Sequence, residues 1–287
     1  MPARSKPSHS IEMPTKTYPS EGRCIFCLTT LAPADLTDEH VVPRMISGAG
    51  EVVIAKGSCR RCQAHANDWY EQPVANANLL VPRLLLGLKR RKARKQPKHL
   101  PPVALHAELG AAEADFATRL ESGEYPPIVQ FLLFRPPGRL TGDERGSDLT
   151  AVRFSFVHLG LGGGSRLPDA TVPSVVTRHG VLHTQFALYL AKMAYCHAVG
   201  TLRLSGFDGG DIRDLLCGRR GDVYNFVGGP IVEERLSGRH LHGLYLRYRS
   251  GGWLSVVIRL FASFNGPTYE VVVAPWPSRR AASALVG

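Results

Sequence analysis

Two Cys-x-x-Cys pairs, Cys24 with Cys27 and Cys59 with Cys62, constrain this chain more than any other feature. Four thiolates in two such knuckles meet the tetrahedral demand of a structural Zn²⁺, which would pin both ends of the intervening segment together. A plain zinc ribbon places about 15–20 residues between its pairs. Here 31 residues separate Cys27 from Cys59, which leaves room for a further element. That element contains Leu36-Thr37-Asp38-Glu39-His40-Val41-Val42-Pro43, a carboxylate beside an imidazole. These are the groups that a second, hard-metal site requires. Alone, Glu39-His40 would read as a surface dipeptide; between two knuckles it reads as a site.

Local patterns place the motif. Leu36 to Val42 reads as a short strand, Pro43 to Gly50 as a loop, and the β-branched run Glu51 to Ala55 as the return strand. Ser58 can cap a helix starting near Cys59 and running to about Gln72, before Pro73. Adjacent strand residues point to opposite faces, so Glu39 and His40 can line one cleft only where a strand end or bulge twists the backbone. On the helix, Gln63 and Asn67 share a face, with Glu71 one turn further on, and His65 points roughly away from that row. Oxygen donors from Glu39, Gln63 and Asn67 suit Mg²⁺ or Mn²⁺, whereas His65 would suit Zn²⁺ or Ni²⁺. A neutral imidazole at His40 is suited to deprotonate a water near neutral pH.

At these residues the chain resembles the HNH endonuclease family, in its four-cysteine branch with an E-H-x-x-P motif. The resemblance rests on Cys24-Ile25-Phe26-Cys27, Asp38-Glu39-His40-Val41-Val42-Pro43 and Cys59-Arg60-Arg61-Cys62-Gln63, with Glu71 downstream. It covers about 50 of the 287 residues. It implies a ββα-metal fold and cleavage or nicking of DNA with one divalent cation. Glu39 then matches the first metal ligand, His40 the general base, and Gln63 a position that is His or Asn in the family. The family's middle Asn, which orients the base, has no match; Val53, Ile54 and Ala55 occupy that stretch.

The formal net charge is +11, which favours a polyanionic partner, DNA ahead of RNA. Charge is concentrated in Lys89, Arg90, Arg91, Lys92, Arg94 and Lys95, and Arg44, Arg60 and Arg61 add to it beside the motif. The alternative for the basic run is a solvated linker. The other two cysteines, Cys196 and Cys217, lie far apart, a usage that suits a reducing cytoplasm rather than a disulfide scaffold. No apolar run reaches the length of a membrane span.

The expected architecture is α+β: a Pro/Ser/Thr-rich tail over 1–21, a zinc-braced ββα module over 22–75, a basic connector over 76–110, and a larger α+β domain with an antiparallel sheet over 111–287. In that last region, Gln185 to Val199 reads as a helix ended by Gly200, its stripe of Phe186, Tyr189, Leu190, Met193 and His197 being core. Ser255 to Phe261 and Thr268 to Val273 read as strands joined at Asn265-Gly266, with another strand over His240 to Tyr248 placing His240 and His242 on one face. Nothing there assigns a role, and a homodimer is open to it. Two functions follow from the sequence: a metal-dependent DNA endonuclease or nickase, or a zinc-braced nucleic-acid-binding protein without catalysis. A protein-interaction scaffold is a third and weaker option.

Overall fold

The computed structural model describes residues 13–88, 100–105, 119–120, 125–144, 152–159, 175–177, 180–231 and 240–276. The basic run Lys89 to Lys95 lies outside the described residues, as do residues 1–12 of the expected tail.

The cysteine-bearing segment builds a three-stranded sheet: β1 (Lys16–Tyr18), β2 (Leu36–His40) and β3 (Val52–Cys59), in the order β1-β3-β2. Strands β2 and β3 are antiparallel, as the sequence pattern implies, while β1 runs parallel to β3 along its other edge. The expectation of a tail over 1–21 is therefore corrected for residues 13–21. Met13 and Tyr18 are buried, and their apolar surface is what holds this segment down. The helix follows as α1 (Arg60–Ala66), a π-helical turn at Asn67–Glu71 and α2 (Gln72–Asn76). Cys59, not Ser58, is its N-cap, its Sγ accepting from the Cys62 N–H at 3.5 Å. The helix also runs through Pro73 instead of stopping before it. Proline clashes with the carbonyl four residues back in an α-helix; here the preceding turn is wound to the π pattern, Gln72 N–H reaching the Asn67 carbonyl. α3 (Leu80–Leu85) then buries Val81 and Leu85, so the first part of the expected connector is packed helix.

Farther along the chain come β4 (Val103–Leu105), β5 (Ile128–Phe134), α4 (Gly138–Thr141), β6 (Val152–His158) and β7 (Val175–Thr177), with β4 paired to β7 and β5 to β6. The centre of the molecule is α5 (His183–Leu202), buried on nearly every side from Phe186 to Gly200. A helix apolar all round must sit inside a core. It continues past Gly200, which was expected to end it. The Tyr18 ring lies so close that a Cβ at Gly200 would fall 2.5 Å from it, so this glycine serves a close approach within the helix. The helix ends instead at Arg203, with φ +68°. Next come α6 (Gly210–Leu216), α7 (Val223–Phe226) and the antiparallel sheet of β8 (Val227–Gly228), β9 (Gly243–Arg249), β10 (Trp253–Arg259) and β11 (Thr268–Pro275), in the order β8-β11-β10-β9. Asn265 and Gly266 do lie between β10 and β11, but as the exit of a longer loop carrying a 3₁₀ turn at Ala262–Phe264.

One hydrophobic core runs through all of this. Ile25, Phe26, Val42 and Tyr70 of the cysteine-bearing segment belong to the same cluster as Phe186 and Tyr195 of α5 and Val256 and Val271 of the sheet. The Tyr195 hydroxyl donates to the Ile25 carbonyl at 2.5 Å, and Arg203 donates to the carbonyls of Pro19 and Ser20. Among the described residues, the packing is thus continuous across the division expected near residue 75, while the one expected near 110 lies outside the described residues.

His240 and His242 do not share a strand face, because β9 begins after them at Gly243. His240 is exposed, whereas His242 is buried. The His242 Nδ1 accepts from the Phe261 N–H at 3.0 Å, which leaves the proton on Nε2 to donate to the Ile46 carbonyl at 2.9 Å. Burial pulls its pKa down to about 4. An unfolded chain would protonate this ring near pH 6.5, so the unfolded state binds the extra proton between those values. The stability from His242 is therefore complete above about pH 6.5 and is lost as pH falls towards 4. From pH 7.5 to pH 5, urea denaturation should show wild type losing about 2 kcal/mol more than His242→Gln. Equal losses in the two proteins would refute the assignment.

Candidate active site and metal centre

The four motif cysteines converge. Their sulfur atoms all lie within 4.8 Å of one another, and Cys27 and Cys59 are 3.9 Å apart. A zinc–sulfur bond of about 2.3 Å implies a tetrahedral edge of about 3.8 Å, so the spacing fits a single ion. Among the described residues this is the one cluster of metal-ligating Cys, His and acidic groups, and its cysteines are free of disulfides. The S–H of Cys62 donating to Cys24 pulls the Cys24 thiol down to about 4 and drives Cys62 up. Burial pushes the Cys59 thiol up as well, so without an ion the thiolate character sits at Cys24. The first knuckle is set by local turns: Leu28 N–H reaches the Cys24 carbonyl, and Ile25 N–H reaches the Gly57 carbonyl across to β3.

A bulge shapes the neighbouring strand. Thr37 faces Ser58 while Glu39 faces Ile54, so β3 carries two extra residues there. Lys56, at the bulge, takes φ +48°, and its N–H is held by the Asp38 carboxylate at 3.0 Å. Gly57 lets the strands close up, since a Cβ there would fall 2.9 Å from that of Glu39. With the strand twisted at that point, Glu39 and His40 both line the same cleft.

The cleft holds about 690 Å³. Its floor is Glu39 and His40, one side is Pro43, Arg44 and Met45, and the other is the helix with Arg60, Gln63, Asn67, Asp68 and Glu71. The π-helical turn carries the last three, a placement such turns often have at functional sites. The Asn67 amide nitrogen donates to Asp68 at 2.7 Å, which leaves its oxygen as the free donor atom for a ligand. Arg44 is exposed and pairs with Glu51 at 2.8 Å. Of the expected site residues, His65 and Arg61 do not join this cleft. They line a separate cavity of about 230 Å³ with Cys27, Cys62 and Arg219. His65 packs on Trp69, ring centres 5.0 Å apart. As a ligand for a cation beside Glu39, His65 is corrected: α1 turns it to the cysteine side.

A residue absent from the sequence reading sits at the back of the cleft. Lys192 of α5, 1% exposed, places its ammonium 2.5 Å from Glu39 Oε1, 2.8 Å from Glu71 Oε1 and 2.8 Å from the His40 carbonyl. The Glu71 contact is an ion pair by distance only; that oxygen is buried with no hydrogen bond. The two carboxylates hold Lys192 charged against the cost of burial, driving its pKa up. A signal was present in the sequence, since Lys192 is the single charged residue in the apolar run Phe186 to Cys196. A buried lysine without counter-charges is too costly to keep.

His40 is half-buried. Burial first, and then the Lys192 charge, lower its pKa, so the ring is neutral near pH 7. Its Nδ1 is buried and has no hydrogen-bond partner among the described residues. His40 pairs with Val53 in the ladder, in the stretch where the resemblance would put an orienting Asn.

Four side chains bordering the cleft carry oxygens of the kind that hard cations take. Glu39, Glu71, Gln63 and Asn67 offer oxygen only, and the orphaned Glu71 Oε1 borders the same space. No protein family, curated protein or solved structure matches this chain. No helix among the described residues is long and apolar enough to cross a membrane. The fold is mixed α+β with antiparallel sheets and a four-cysteine cluster able to hold a structural metal such as zinc.

Proposed function

We propose that the protein is an HNH-type endonuclease that hydrolyses DNA phosphodiester bonds in the Glu39–His40 cleft. The observation that carries this reading is that Glu39, His40, Gln63 and Asn67, dispersed over strand and helix, line one open cleft beside the cysteine cluster. Zinc held by Cys24, Cys27, Cys59 and Cys62 is structural. Glu39 with Gln63 and Asn67 would hold a divalent cation, Mg²⁺ or Mn²⁺ by their oxygen donors, which when bound would supply charge neutralisation at the scissile phosphate.

The chain's own residues do the rest. Neutral His40 takes a proton from water, and the water oxygen bonds to phosphorus as the bond to the leaving oxygen breaks. The leaving oxygen picks up a proton from solvent. Arg44 and Arg60, on the cleft walls, hold flanking phosphates, and the basic run Lys89 to Lys95 adds sequence-independent grip that weakens steeply with salt. Supercoiled plasmid incubated with wild-type protein should relax or linearise with Mg²⁺ or Mn²⁺ and stay intact with EDTA. Conversion that ignores EDTA would refute the cation's role.

A second reading has its own support. The unpartnered His40 Nδ1 and the commitment of Glu39 to Lys192 favour a zinc-braced nucleic-acid-binding protein that has lost catalysis. It predicts a salt-sensitive gel shift and no plasmid conversion with any metal.

A further inference from the structure

We propose that Lys192 is a positioning residue that shares Glu39 and Glu71 with the divalent cation and sets the charge of that three-residue group to accept one phosphodiester. This rests on the reading of the cleft as a phosphodiester-hydrolysing site.

Three oxygens surround the ammonium at 2.5–2.8 Å, two of them from carboxylates. That is the environment of a bound cation, delivered by a helix 153 positions from Glu39. Stability alone does not call for it. Replacing a buried ion triad by apolar side chains of similar volume is often neutral or stabilising, and every other side chain of α5 from Phe186 to Cys196 is uncharged. The charge count gives the triad a purpose. Glu39 and Glu71 against Lys192 leave one net negative charge, enough to attract a divalent cation. With that cation the group carries one net positive charge, which a single phosphodiester neutralises. Without Lys192 the loaded group would be neutral and would attract the phosphate less. Lysine also steadies the two carboxylates, which would otherwise repel each other across the cleft wall. Glu71 Oε1 is paired with the ammonium by distance alone, without a hydrogen bond.

The test is Lys192→Met, read by Mn²⁺ binding (electron paramagnetic resonance of the free ion) and by affinity for nuclease-resistant phosphorothioate DNA. Removing a like charge from a shared ligand set should tighten Mn²⁺ about tenfold or more. Mn²⁺ should also raise the melting temperature of the variant more than that of wild type, while DNA affinity with Mn²⁺ present falls about fivefold or more. A purely structural lysine would lower stability and leave Mn²⁺ affinity unmoved. Equal or weaker Mn²⁺ binding by the variant overturns the proposal. If Lys192→Met does not fold even with Mn²⁺, Glu71→Gln decides. It keeps the Lys192–Glu39 pair, removes one negative charge and should weaken Mn²⁺ about tenfold; an unchanged affinity there overturns the proposal equally. Wild-type protein that never converts plasmid, with Mn²⁺ affinities shifting as stated, would sink the hydrolytic reading and leave the charge sharing in place.

Discussion

Cys59→Ser should yield a chain that retains no zinc and unfolds well beyond the cysteine-bearing segment. Structural zinc in small modules contributes about 10–16 kcal/mol, as much as the entire net stability of a typical domain, about 5–15 kcal/mol. Cys59 caps α1 and ends β3, so its loss removes a metal ligand and a helix cap together. The damage then spreads. The first knuckle receives the Tyr195 hydroxyl at Ile25 and the Cys217 thiol at Phe26, and Ile25 and Phe26 belong to the same core as α5 and the sheet. Hydrogen exchange should therefore show lost protection over 24–76 and over 183–202 alike, with zinc content falling from one ion per chain to none. Protection lost only over 24–76 would mean that the cysteine-bearing segment unfolds independently of the shared core. A zinc-free variant with wild-type protection everywhere would show that the metal is not needed at all.

The parts of this architecture legible in the sequence were the local ones. Cysteine spacing gave the cluster, the β-branched run gave β3, and the polar, periodic stretch after Cys59 gave the helix. Each is encoded within a few residues, by ligand chemistry, strand alternation or helical period. What stayed hidden was decided at long range. β1 pairs in parallel with β3, and Tyr18 at its end packs on Gly200, some 180 positions away. Lys192 reaches Glu39 across 153 positions. No periodicity in either segment announces such a partner; the trace left in the sequence is an anomaly, one lysine in an apolar helix or one glycine where a helix does not stop. The π-helical turn was invisible for a related reason. It buries Tyr70 and leads into Pro73, a tertiary and a backbone constraint, whereas residue propensities distinguish π from α poorly. For His65 the helical period points away from the Gln63–Asn67 row, and α1 does turn it to the cysteine side, whatever its suitability as a ligand. Geometry decides such cases before chemistry does.

His40→Ala should reduce plasmid conversion to background while zinc content, melting temperature and salt-sensitive DNA binding stay near wild type. A positioned general base accounts for about 10²–10⁴-fold in rate, and among the described residues the cleft offers no second histidine to take over. Its ring is half-buried, and its Nδ1 has no partner among the described residues, so truncating it breaks no hydrogen bond there. The Lys192 bond goes to the His40 carbonyl, which alanine keeps. Fold and function should thus separate cleanly at this position, unlike at Glu39 or Lys192, where removing either partner leaves a buried charge exposed to its neighbours. Wild-type conversion rates in His40→Ala would remove this imidazole from the mechanism. If instead neither protein converts plasmid with any cation, while both shift DNA in a salt-dependent way, the orphaned Nδ1 becomes the physical reason. An imidazole that nothing orients samples several ring positions, and the in-line attack on phosphorus needs one of them.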